Sequence, residues 1–284
     1  VMRAASSGMD TLDRPGRPQR NVPAYLEIIR GRLRIAVTYR QNAAFLLAAV
    51  VMQIFILRVV WTSLYGETEV VNDVNLSSML VYLTIANLQN WALQDPSVSS
   101  YIHSRVREGQ VAFDLLRPAG FVPQMLAHLV GSSLAMVLFA VAALPVVALA
   151  GTLGPPVSAA AFATWLVSLL CAYLVALLLN LILGMVAFWT MEITGIGVLY
   201  YLVNQFFAGA LVPLDFFPEG LGVLARLLPF QATTYTPVAI YVGRITGTDA
   251  LLAIGVQVVW IAVLVLFARL LWRAAVRRVI VQGG

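Results

Sequence analysis

Residues 157–189 read VSAAAFATWLVSLLCAYLVALLLNLILGMVAFW. A helix rises ~1.5 Å per residue, so ~20 apolar residues cross the ~30 Å hydrocarbon layer of a bilayer. This run is longer than a crossing needs, and therefore tilts or projects. Upstream, GTLGPP (151–156) forms a rigid turn, and before it lies a second long apolar run, 121–150, expected to bend or end near Pro145. A helical hairpin of that length needs lipid around it. The whole chain agrees: 61% of the 284 residues are apolar and 11% charged, against ~45–50% and ~25% in soluble domains.

Working outward, further spans fall at 43–64, 76–93, 196–214 and 250–272. The expected fold is an all-α polytopic membrane protein with six transmembrane helices. Residues 1–22 are polar, Pro- and Gly-containing and Arg-rich, without an apolar central stretch; they read as a disordered cytoplasmic tail, not a signal peptide. Residues 23–40 read as an amphipathic helix in the membrane interface: Glu27, Arg30, Arg34 and Thr38 mark one face, Leu26, Ile29, Leu33 and Val37 the other.

All 18 basic residues are arginine, and the formal net charge is +5. Eight arginines precede the first span, three (Arg105, Arg107, Arg117) lie between spans two and three, and four (Arg269, Arg273, Arg277, Arg278) mark the C-terminal flank of the last. The opposite side holds only Arg226 and Arg244. Fifteen against two places both termini in the cytoplasm of a multi-pass protein of the cell membrane. The absence of lysine excludes a P-loop ATPase, Schiff-base chemistry and Ser–Lys dyads within this chain. The single cysteine, Cys171, reads as an apolar filler. Neither a His-Glu-x-x-His nor a Gly-x-Ser-x-Gly motif occurs, which argues against a zinc protease or a serine hydrolase.

Three segments depart from simple spans. The loop 95–120, DPSVSSYIHSRVREGQVAFDLLRPAG, is expected to be helical over 100–116, ended by Pro118, and is suited either to docking a cytosolic partner or to lying on headgroups. The stretch 213–244 is punctuated by Pro218, Gly220, Gly222, Pro229 and Pro237; its apolar run 221–230 is too short to cross and reads as an outer re-entrant hairpin between spans five and six. Third, the spans carry amides: Asn87, Asn90 and Gln94 on one face of span two, Asn180 in span four, and Tyr201, Asn204 and Gln205 in span five. These either line a substrate route or tie helices together. Arg58 either snorkels to headgroups or pairs with Glu67 or Asp73. Glu192 reads as an interfacial charge.

This order of features resembles the permease subunits of type-2 ATP-binding-cassette (ABC) exporters over 23–280. REGQVAFDLLRPAG (107–120) is similar to a Gly-x-x-x-x-x-Leu-x-x-Pro segment of one bacterial branch, and LVPLDFFPEGLGVLARLLPF (211–230) to the family's Pro-bounded hairpin. The resemblance implies an exporter of hydrophobic, amphipathic or cationic drug-like molecules or of lipids. Two permeases, identical or different, would stand over two cytosolic P-loop ATPases that carry the ATP and magnesium, so this chain would hold no cofactor and would not be an enzyme by itself. It implies a coupling helix with Arg105, Arg107, Glu108, Phe113 and Leu116, a path lined by Asn87, Asn90, Gln94, Tyr201, Asn204 and Gln205, and an outer gate at Pro213, Phe216, Phe217 and Pro218. Two alternatives stand beside it. One is an intramembrane enzyme acting on lipid-linked substrates through Glu192, Asp95, His103 or His128, and the other a non-transporting assembly subunit.

Overall fold

The computed structural model of the chain describes residues 22–38, 40–66, 70–71, 74–93, 97–115, 120–149, 153–190 and 194–282. It is built of helices: α1 (Val22–Thr38), α2 (Arg40–Tyr65), α3 (Leu76–Leu93), α4 (Ser97–Arg107), α5 (Val111–Leu115), α6 (Phe121–Leu149), α7 (Ala159–Val186), α8 (Thr194–Phe207), α9 (Glu219–Leu227), α10 (Tyr235–Tyr241) and α11 (Gly247–Gln282). Short 3-10 turns cover Leu214–Phe216 and Pro229–Ala232. A minimal antiparallel ladder pairs Val70 with Asn75 and Val71 with Val74 before α3.

Four helices among the described residues are long and apolar enough to cross a membrane: Leu47–Tyr65, Phe121–Leu149, Ala159–Val186 and Gly247–Arg277. These match four of the six expected spans; the expected spans 76–93 and 196–214 fall on α3 and α8. Helix α8 has 14 residues, or ~21 Å, short of a ~30 Å layer. It stops at Phe207, not at residue 214, because Gly209 turns the chain with φ +75°. A Cβ at Gly209 would also lie 3.0 Å from the Tyr82 hydroxyl. Helix α3 fails on composition, since Asn87, Gln89 and Asn90 interrupt its apolar run.

Burial accounts for that composition. Twelve of the 18 residues of α3 are buried, Asn87, Gln89 and Asn90 among them. It is the central helix, flanked by α2, α6 and α10. Helices α2 and α11 form the outer surface; each is only 17% buried over its most apolar window, against 50% for α7. Polar side chains inside such a bundle are tolerated because they bond across helices. Gln257 of α11 does so fully: it accepts from the Ser168 hydroxyl at 2.9 Å and donates to the carbonyls of Ser168 and Ala232.

Sequence signals set the helix ends. Ser158, after Pro155 and Pro156, caps α7 by accepting the Ala161 N–H at 3.0 Å. Helix α6 continues through Pro145 to Leu149, although the proline has no N–H for the Val141 carbonyl. The expected single helix 100–116 is two: Gly109, at φ +69°, separates α4 from α5. Glycine likewise permits close helix contact. A Cβ on Gly131 of α6 would lie 2.8 Å from Arg32 Cβ of α1, and one on Gly184 of α7 would lie 2.5 Å from Ile102 Cδ1 of α4. The two helices that flank the bundle at this end are thus seated directly on its long spans.

Candidate functional site

A cavity of about 440 Å³ lies where α8 stands off from α2, α3, α4 and α7. Asn87, Asn90 and Trp91 line it from α3, Gln53 from α2, Asn180 from α7, and Tyr200, Tyr201 and Gln205 from α8. Ser99 and Ser100 of α4 bring it down to the loop end of the bundle. Its described lining carries no formal charge.

The amides form a chain across helices. Asn90 Nδ2 donates to Gln205 Oε1 at 2.6 Å, and Gln205 Nε2 donates to the Tyr201 hydroxyl at 2.7 Å. Gln53 Nε2 donates to Asn87 Oδ1 at 3.0 Å. Asn87 Nδ2 donates to the carbonyls of Leu83 and Ala210. Asn204 donates to Asn90 Oδ1 at 3.2 Å but sits behind the wall, fully buried. Of the six residues expected to line a path, the structure thus brings together Asn87, Asn90, Tyr201 and Gln205; Gln94 lies outside the described residues. Gln53 was missed, although it is the one amide within the span 43–64.

Away from the loop end, the Asn87 wall of the cavity is tied to the segment after α8. The Tyr82 hydroxyl donates to the Gly209 carbonyl at 2.9 Å, beside the Asn87–Ala210 bond. Phe206 stacks on Phe217 with centroids 4.8 Å apart, and Phe216 meets Trp61 edge-on at 5.3 Å. Pro213 is buried and Pro218 exposed, each adopting the extended backbone that brackets Leu214–Phe216. Asp215 draws this cap together: it pairs with Arg244, accepts the Tyr235 hydroxyl at 2.7 Å, and lies 3.8 Å from Arg226. Burial, and secondly the Asp215 charge, push the Tyr235 phenol well above its ordinary range.

At the loop end, Arg105 faces inward. Its guanidinium donates two bonds to Asp114, at 2.7 and 2.5 Å, and a third to Gln110. Hydrogen bonding to the Asp114 carboxylate raises the Arg105 pKa above its ordinary value. The Tyr101 ring lies between the guanidiniums of Arg32 and Arg105, 5.5 and 5.7 Å from its centre. Arg32 Nε donates to His128 Nδ1 at 2.8 Å. Arg107, Glu108 and Phe113 instead point outward, Phe113 being 68% exposed. Leu116, with Asp95, Glu192, Glu67 and Asp73, lies outside the described residues. Among the described residues no group of His, Cys, Asp and Glu could hold a metal ion.

A model of the ABC-2 family of transporter proteins matches residues 47–283. The chain belongs to that family. The matched region takes in the amide-lined cavity, both of its ends and all four long apolar helices. No match was found among curated proteins. An ABC-2 family transporter is a membrane component of a transport system and in general not an enzyme itself.

Proposed function

We propose that this ABC-2 protein is the permease subunit of an ATP-driven exporter, and that the amide-lined cavity receives its cargo. One observation carries the reading: an amide-lined cavity that extends to Ser99 and Ser100 at the loop end, while its Asn87 wall is bonded to the Ala210 carbonyl in the segment after α8. Its neutral amides and aromatic rings favour an amphipathic or cationic-hydrophobic small molecule, or a lipid, over an anion. The arginine distribution supports a cytoplasmic position for the loop end and both termini.

Power comes from a partner. Two P-loop ATPase subunits, holding ATP and magnesium, dock beneath two permeases, this chain paired with a copy of itself or with a second permease. Arg107, Glu108 and Phe113 are the exposed contacts on α4, α5 and the turn between them, and Arg105 positions them. ATP-driven closure shifts the permease only if the ATPase binds this surface differently in its two nucleotide states. The gate is the 213–218 segment at the far end. In a test, Phe113→Asp and Arg107→Glu are expected to abolish co-purification with the ATPase and cargo-stimulated ATP hydrolysis while thermal unfolding stays unchanged. Normal assembly and stimulation in both variants would overturn the docking assignment.

A further inference from the structure

A second cavity, about 600 Å³, lies between α3, α6 and α7, away from Asn87 and Asn90, with Gln89 as the one amide of its lining. Its origin is geometric. Helices α6 and α7 are consecutive long helices, yet each leans on other partners, α6 mainly on α1 and α7 on α11. The two arms diverge and leave a slot. Ile85, Leu88 and Ala92 of α3 form its buried floor. Its rims, Val141 on one side and Leu166 and Leu170 on the other, are 47–61% exposed on the apolar surface of two membrane-crossing helices.

We propose that this slot holds one acyl chain of a membrane phospholipid as a resident ligand. A slot of this size and apolarity is costly to leave empty, and beyond Gln89 and the rings of Trp165, Tyr173 and Tyr241 its lining is apolar, a poor site for water. Its open side meets hydrocarbon, so the available filler is an acyl chain. The slot has ends, as an ordinary lipid-facing surface does not: Trp165 and Tyr241, edge-to-face at 5.3 Å, close it near Gly154, while Leu93 and Tyr173 close it deeper in. From Phe162 to Tyr173 it runs ~16 Å along α7, the depth of about one leaflet.

The leaflet is the one on the side of Gly154, where the Tyr241 hydroxyl donates to the Gly154 carbonyl at 2.8 Å. Trp and Tyr belong at the headgroup level. There Trp165 Nε1 is buried without a hydrogen-bond partner among the described residues. The inference requires only that α6 and α7 cross a bilayer; it is independent of export and of cargo.

The test is native mass spectrometry of the full chain, reconstituted in brominated phosphatidylcholine and washed in detergent until bulk lipid is gone. The unmodified chain is expected to retain one brominated phospholipid. Ala140→Phe, which places a ring in the slot, is expected to lose it with unchanged helix content, and Trp165→Phe to retain it to an intermediate extent. If Ala140→Phe does not fold, Ala140→Leu gives a smaller filling and a partial loss. No lipid on the unmodified chain, equal retention in the filled variants, or a bound mass that is not a phospholipid would each overturn the proposal.

Discussion

The two ends of the amide-lined cavity are both held by an aspartate and arginines, but not in the same way. At the loop end, Asp114 is 1% exposed and bound bidentately by Arg105, itself only 18% exposed. Tyr101, Arg32 and His128 extend that pair until α1, α4, α5 and α6 are one body, seated on α7 at Gly184. At the other end, Asp215 is 29% exposed and is shared among Arg244, Tyr235 and the more distant, 57% exposed Arg226. The elements it joins are a 3-10 turn and helices of nine and seven residues. Charge pairs lose strength as water reaches them. The contrast is between an end that moves as a unit and one whose pieces can part, which is what the proposed exporter needs where force enters and where cargo leaves.

The contrast is broken most severely at Asp114. Asp114→Ala leaves a largely buried guanidinium without its carboxylate, at a cost of ~3 kcal/mol or more. Thermal unfolding in detergent should fall markedly, and limited proteolysis should cut near Gly109, where α4 and α5 come apart. Substitution of both Arg105 and Asp114 by leucine should recover much of the loss, since apolar pairs of similar size often replace buried ion pairs. A single Asp114→Ala variant as stable as the parent would remove the claim that this end is one rigid body.

A smaller effect is expected at Gly209. Its left-handed backbone makes any Cβ cost ~1–3 kcal/mol, and the 3.0 Å approach to the Tyr82 hydroxyl adds crowding. Gly209→Ala should loosen the Tyr82 and Asn87 bonds to this segment, raising the accessibility of a cysteine placed at Ala210 to water-soluble thiol reagents with Cys171 replaced by Ala. Gly31→Ala in α1, where a Cβ meets nothing within 4 Å, should leave that labelling unchanged.

The same two ends show what sequence could and could not reveal. The long helices were legible because ~20 apolar residues have few soluble uses. So were Asn87, Asn90, Tyr201 and Gln205, whose amides and hydroxyl stand out in apolar runs. The inward turn of Arg105 was not legible. Its partner Asp114 lies nine residues on, and only the break at Gly109 folds α5 back against α4. Asp215 was invisible for a similar reason, since Arg244 and Tyr235 reach it across 29 and 20 residues. The length of α8 was misjudged because hydropathy over 196–214 is continuous, whereas the backbone turns at Gly209. Periodicity records which residues avoid water; it does not record which glycine lets the chain reverse.

The smallest effect, and the finest test of the comparison, is at Asp215. Asp215→Asn keeps an acceptor for the Tyr235 hydroxyl but removes the charge that holds Arg244. Because the carboxylate is partly hydrated, the cost is ~1 kcal/mol, too little to unfold the protein. The aromatic contacts should persist, so the proposed gate should open more often without being lost. Cysteine labelling at Ala210 would read that as a modest rise, weakened further by high salt in the parent but not in the variant, since salt screens only the charged form. Combining Asp215→Asn with Phe217→Ala tests whether the charge and the stacked rings are coupled: effects on labelling that add in free energy mean that they hold the cap independently, whereas a second effect masked by the first means that losing one contact already loses the other.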